Sequence, residues 1–430
     1  MVLAALAATP ALALGATGSP TASAQTPGVL ADVRVRELPA VQTILTGRPA
    51  QADSTTLSDS AQRDLRTLSE NEGVRYDELA ARTVGSDELD QALQRAEERP
   101  SLGVLESGVE SAGGFWVEVG AGAELAEVAA IFAAVPARVA IHRRIDATVD
   151  EITDVQERVF LALSRAPVTS GVEVDYDAHR AQLEVDVAVP QAGIEVEAEA
   201  VAARMLRTIA SASPGGLLPV PVEMTIRVGT DRGTLKGKRG GRALRLASDG
   251  TFVCTGGFTA MRNGVLGLIT ARHCPNGLTY NRNPILTFVT GASTTATGGV
   301  IDLQFHRFDA GTEVDPVFRA SGRTASDDRT VRAVANAPVG SGVCAWGAAG
   351  GYDCARVDQV NVCRNGFGDG VDRCGLDRAT SEITVAGDSG GPWFFGDTAR
   401  GTLTGAINGH DYFTRIGRVA NNLDAEVLRR

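Results

Sequence analysis

The run Gly387-Asp388-Ser389-Gly390-Gly391-Pro392 sets a hydroxyl among small residues in a way that suits acyl transfer. A serine hydroxyl is a weak nucleophile until a base takes its proton. Attack on a carbonyl then builds a negative oxygen, which preorganised N–H donors must meet. Glycine at 387 lets the backbone turn so that the amides of Gly387 and Ser389 aim at one spot. Gly390 and Gly391 keep side chains out of a substrate's way. The bland alternative is a glycine-rich hairpin turn with an incidental serine. The base must lie elsewhere, and the histidines are His142, His179, His273, His306 and His410. A lone histidine is usually structural. His273 stands apart because it ends an apolar run and is followed by a cysteine, in Leu268-Ile269-Thr270-Ala271-Arg272-His273-Cys274.

The six-residue serine run resembles the nucleophile loop of the chymotrypsin-like serine proteases, and Thr270-Ala271-Arg272-His273-Cys274 resembles their histidine motif. The triad order His, Asp, Ser of that class directs the search for the acid upstream. Asp302, in Gly299-Val300-Ile301-Asp302-Leu303-Gln304-Phe305, resembles the family's aspartate, ranked above its competitor Asp309. The resemblance implies that Asp302 orients His273 and that Thr404, in Gly401-Thr402-Leu403-Thr404-Gly405-Ala406, backs Asp302. Gly240-Gly241-Arg242-Ala243 and Cys254-Thr255-Gly256-Gly257-Phe258 are similar to mature streptogrisins, so the likeness runs over residues 240–430. It implies disulfides Cys254–Cys274 and Cys344–Cys354; Cys363 and Cys374 depart from the family's pattern and are expected to close a loop of their own.

The elements that must carry these residues are short. From Gly240 on, strands alternate with Gly, Asn, Asp and Thr turns, which reads as an all-β barrel or sandwich; with the triad it reads as two six-stranded chymotrypsin-like barrels enclosing the site. Upstream, Phe115 to Val119 and two stretches, Val172 to Tyr176 and Gln182 to Val187, alternate like strands. Ala123 to Ala134, and Ile152 with Val155 and Val159, have helical spacing. Helices on an antiparallel sheet make an α+β domain. This order is similar to the pro-region of the streptogrisin and α-lytic protease family, which implies a folding assistant and inhibitor. An all-β protease rich in non-local contacts folds slowly, so such a template has a physical use.

The resulting division is a signal peptide at 1–24, a helical and linker part of the pro-region at 25–107, an α+β pro-domain at 108–235, and the protease at 240–430. The segment to Ala24 is rich in Ala and Leu and ends in Ala22-Ser23-Ala24, although the first basic residue is Arg34. Ser60 to Leu65, Tyr76 to Arg82 and Asp87 to Arg95 look helical, with many charges and few apolar positions, as in a solvated arm. The basic, glycine-rich stretch from Leu235 to Leu244 suits an exposed processing site, placed between about 228 and 241.

Composition agrees with a globular secreted protein. The chain has 430 residues, 43% hydrophobic and 22% charged, with a net charge of −11. The acidic excess lies before about residue 235, and no lysine follows Lys238. No basic face calls for nucleic acid, and no stretch is apolar for long enough to span a bilayer. All six cysteines fall between Cys254 and Cys374, as in a disulfide set from an oxidising compartment. Zinc spacing is lacking, so the expectation is no metal and no cofactor.

Several positions depart from the family. Arg272 replaces the usual small residue before the histidine. A disulfide around the nucleophile is missing, with Ile383 at its first position. Ala406 stands where a glycine usually lines the primary pocket. The pocket is read as Ile383, Thr384, Ala386, Gly405 and Ala406, with no acid to attract Lys or Arg. Leu403 stands where glutamate-cleaving relatives carry histidine. Cleavage after small or medium apolar residues follows. Asp369 and Asp372 offer carboxylates for calcium, against the plainer reading of a solvated turn. The expected protein is a secreted serine endopeptidase made as a self-processing zymogen, with protein or peptide substrates and its own pro-region as partners. An inactive protease-like binding or adhesion protein is the rival. An esterase is a second rival, disfavoured because the serine run continues into Pro392-Trp393 in a β context.

Overall fold

The computed structural model describes residues 34–36, 38–47, 57–110, 113–166, 171–178, 180–189, 205, 207–209, 217–228, 242–280, 285–320 and 328–430. The signal-peptide reading, the processing site and His179 lie outside these residues.

The first helices described in the N-terminal half are α1 (Asp59–Glu72), α2 (Tyr76–Thr83) and α3 (Ser86–Glu97). Ser58 caps α1 by accepting from the Ala61 amide. A four-stranded sheet follows, built from β1 (Gln42–Thr46), β2 (Val104–Val109), β3 (Phe115–Val119) and β4 (Val139–Arg143) in the order β1-β4-β3-β2. One face of it packs on α3 and on α4 (Leu125–Phe132). Helix α5 (Val149–Ser164) starts at a capping box of Thr148 and Glu151. It buries Ile152, Val155, Val159 and Phe160 against the antiparallel pair β5 (Gly171–Asp177) and β6 (Gln182–Val189), which β7 (Val222–Val228) extends.

The C-terminal half forms two barrels. The first uses β8 (Ala243–Leu246), β9 (Phe252–Thr255), β10 (Thr259–Arg262), β11 (Val265–Thr270), β12 (Leu278–Tyr280), β13 (Ile285–Gly291) and β14 (Gln304–Arg307). Their order is β9-β8-β12-β13-β14-β11-β10, and the short C-terminal strand Glu426–Val427 pairs with β10 beyond that end. The second is made of β15 (Gly342–Gly347), β16 (Gly351–Arg364), β17 (Arg373–Ala379), β18 (Pro392–Phe395), β19 (Thr398–Ile407) and β20 (His410–Arg415). It runs β15-β18-β19-β20-β17-β16 and closes where β16 pairs back on β15. This is the chymotrypsin-like double barrel, preceded by an α+β unit.

The halves join in two ways. The end of β16 takes β5 as a further strand, with Cys363 opposite Val174 and Arg364 opposite Glu173, so main-chain pairing docks the N-terminal sheet on the second barrel. The helices dock by charge. Asp64 of α1 receives both terminal nitrogens of Arg329 at 2.8 Å, and Asp90 of α3 receives those of Arg400 at 2.8 and 2.6 Å. All four side chains are at most 4% exposed. The solvated arm read from the sequence is therefore an interface: Leu65 and Leu68 are buried with Phe395, and the charges that suggested solvation find arginines across the boundary. The α+β unit also begins earlier than 108, since β1 and β2 belong to its sheet.

Removing one partner of a buried ion pair strands the other. Asp64→Asn and Asp90→Asn should each lower the stability of the whole chain by about 3–5 kcal/mol, measured by urea unfolding of the full chain. Arg75→Gln, at an exposed pair with Asp77, should change it by less than about 1 kcal/mol.

Candidate active site

Strand β11 delivers His273 just past its end. The ring Nδ1 lies 2.8 Å from Asp302 Oδ2, and the His273 backbone N–H donates to Oδ1 at 3.0 Å. One carboxylate thus fixes both the ring and the turn that bears it. Asp302 is 1% exposed. Burial alone would push its carboxyl up. The charge of His273, then that of Arg373, and the hydrogen bonds from His273 outweigh burial and hold it below the usual carboxylate range. His273 Nε2 is buried and, among the described residues, has no hydrogen-bond partner. Arg272 turns away, donating to the Ala292 carbonyl at 2.5 Å. The competing Asp309 is exposed.

The loop bearing Ser389 packs against this turn. The Thr255 amide donates to the Ser389 carbonyl at 2.8 Å, and the Thr255 hydroxyl to the Gly387 carbonyl at 2.9 Å. A Cβ on Gly390 would fall 2.0 Å from Thr270 Oγ1, so only glycine lets the loop approach the histidine strand this closely. Gly387 has φ 101°, which aims its amide along a direction other residues resist. Among the described residues, the amides of Gly387 and Ser389 donate to no acceptor. The loop is held from behind by Asp388, whose carboxylate accepts from the amides of Ala349, Gly350 and Val385. Burial pushes its carboxyl up to about 6, against those amides. Asp388 therefore supports the loop and stays away from the chemistry.

Thr404 does not back Asp302. Its hydroxyl shares a hydrogen bond of 3.1 Å with that of Thr414, at the point where the pairing of β19 with β20 slips between Leu403 and Gly405. The group beside Asp302 is Arg373, whose Nε is 3.5 Å from Oδ2. The three expected disulfides are formed, Cys254–Cys274, Cys344–Cys354 and Cys363–Cys374. In the last loop the calcium candidates are engaged otherwise: Asp369 takes the fork of Arg373, and Asp372 accepts from Ser164 and Asn365.

The residues read as a pocket hold a surprise. Ile383 packs toward the core of the second barrel. Ala406 is opposite Asp411 in the β19–β20 hairpin. Asp411 is 0% exposed, and its carboxylate accepts from the Ile383 amide at 2.7 Å, the Thr384 amide at 2.9 Å and the Thr384 hydroxyl at 2.6 Å. An acid does stand behind this wall, contrary to the sequence reading. Its oxygens are turned into the backbone of 383–384. The signal was legible: Asn408-Gly409 makes a two-residue hairpin turn, with both residues at positive φ, and that turn fixes 411 opposite 406. Arg373 had a weaker signal, an arginine beside a loop cysteine, which does not name its partner.

The second half of the chain has the chymotrypsin-like fold. No protein-family model and no curated protein matches the chain. Solved structures similar to it include Cellulomonas bogoriensis chymotrypsin, at 27% identity over 45% of this chain and 98% of that one, with a TM-score of 0.36. Thermobifida fusca protease A is 24% identical, over 45% of this chain and 98% of its own, also at 0.36. A glutamic-acid-specific serine protease is 21% identical over 44% and 99%, at 0.37.

Burial pushes the Asp411 carboxyl up to about 7, opposed by the Thr384 and Ile383 hydrogen bonds and assisted by Glu382. A carboxyl raised in the folded state stabilises the fold below the unfolded value near 4, and that contribution is lost as pH rises through about 7. Melting temperatures of wild type and Asp411→Asn compared from pH 4 to 8 should differ most in favour of wild type at pH 4–5. The gap should close toward pH 8.

Proposed function

We propose that this chain is a secreted serine endopeptidase made as a self-processing zymogen. The observation that carries the reading is His273, tied through Nδ1 to a buried, ionised Asp302 with Nε2 unpaired, beside a loop whose Gly387 and Ser389 amides are unused. Ser389 Oγ attacks the scissile carbonyl while His273 Nε2 takes its proton. The carbonyl oxygen becomes negative and is met by the amides of Gly387 and Ser389. His273 returns the proton to the departing amine, leaving an acyl-enzyme. Water then attacks that ester and gives its proton to His273, which passes it to Ser389 Oγ as the acyl–oxygen bond breaks and the acid product leaves. Asp302 holds the ring tautomer and offsets the imidazolium charge throughout.

Residues before about 235 act as folding assistant and inhibitor until the chain is cut between about 228 and 241. The support is the shared sheet at Cys363 and Arg364 and the buried ion pairs of α1 and α3. Three disulfides, with no described helix long and apolar enough to cross a membrane, fit an extracellular enzyme. Cleavage after small or medium apolar residues fits Ala406 at the wall and an Asp411 closed to substrate cations.

Residues 25–430 secreted as wild type should split to a fragment of about half the mass that a fluorophosphonate labels. Ser389→Ala should stay whole and unlabelled, and Asp302→Asn should lose about 10⁴-fold in kcat. A wild type that neither splits nor labels, even after an added protease cuts the linker, sinks the proposal in favour of the binding-protein alternative. A peptide-library digest cutting mainly after Arg or Glu removes the specificity reading alone.

A further inference from the structure

Arg373 opens β17 directly behind the triad. It is 2% exposed, and its Nε faces the same Asp302 oxygen, Oδ2, that binds the His273 ring. That Nε makes no hydrogen bond of its own. The two terminal nitrogens fork onto Asp369, and the guanidinium carbon lies 5.0 Å over the Phe367 ring. The segment cannot swing away. Val300 donates to the Asp372 carbonyl at 2.9 Å, Cys374 donates to the Val300 carbonyl at 3.0 Å, and Cys374 is bonded to Cys363. The segment that bears Asp302 and the start of β17 that bears Arg373 are thereby tied together.

A buried cation this close to the acid has a chemical consequence. Asp302 serves the triad by favouring the imidazolium of His273. A second cation on the same oxygen spends part of that attraction and repels the imidazolium besides. We propose that Arg373 is a positioning residue of the triad, competing with protonated His273 for Asp302 and so setting the pH above which His273 is a free base. Asp369 tempers it by drawing off part of the guanidinium charge. Other charged groups nearby are occupied: Asp372 by Ser164 and Asn365, Arg272 by the Ala292 carbonyl, Arg418 by Asn361 and Glu157 by Thr297.

The inference rests on the triad reading, and the test separates the two. The acidic limb of kcat/KM against pH reports the base of the free enzyme. In mature enzyme that labels with fluorophosphonate, Arg373→Gln should move that limb up by about 0.5–1 pH unit, a three- to tenfold change in the proton affinity of His273. Asp369→Asn should move it down, and Arg373→Lys should restore most of the wild-type position. A merely structural role would lower kcat or the melting temperature in each variant without shifting the limb in opposite directions. If Arg373→Gln is not secreted, Asp369→Asn decides: an unmoved or raised limb overturns the proposal. A wild type that does not label sinks the triad reading itself, whereas labelled variants with unmoved limbs sink only the role of Arg373.

Discussion

The site depends on a carboxylate kept charged out of water. Asp302 is buried at the seam of the two barrels, where an unpaired charge would neutralise itself by taking up a proton. It stays ionised because His273 supplies a ring N–H and a backbone N–H, and because Arg373 stands behind it. Each of those donors is itself held. His273 sits on the turn that leaves β11, Arg373 on a loop closed by a disulfide and paired to Val300. The loop bearing Ser389 then packs on Thr270 and Ala271, with Gly390 allowing contact that any side chain would prevent. The constraint on one carboxylate therefore reaches three loops from both barrels.

The same rule of matched burial organises the boundary between the halves. The N-terminal half carries the acids, and the double-barrel half carries arginine as its strong base. Asp64 and Asp90 meet Arg329 and Arg400 in buried forks, and Glu173 meets Arg364 and Arg378 beside Tyr412. Such pairs add little net stability over an apolar contact, but they penalise any other docking, since a misplaced half leaves charges buried alone. Shape and charge together set the register at which β5 joins β16.

The fold of residues 240–430 was legible because its signals are local. Short strands, glycine turns and a cysteine beside a histidine survive reading in one dimension. The N-terminal helices were also found, but their surroundings were misjudged. The acids of α1 and α3 looked like a solvated surface, and only their arginine partners, some 265 and 310 residues away in sequence, make them an interface. Strand β1 was missed because its burial is slight and its partner β4 lies far along the chain.

The sequence by itself determined the chemistry available: a serine among glycines, a histidine with its cysteine, an upstream aspartate and three closable disulfide loops. These are covalent or short-range facts, set by residue type and by turns of a few residues. Tertiary structure alone decided which charges meet. It placed Arg373 rather than Thr404 beside Asp302, turned Asp411 onto the backbone of Ile383 and Thr384, and gave Asp369 and Asp372 protein partners. The physical reason is that a charge's energy depends on its distance to other charges and to water. Those distances exist only once the barrels have closed and the two halves have docked.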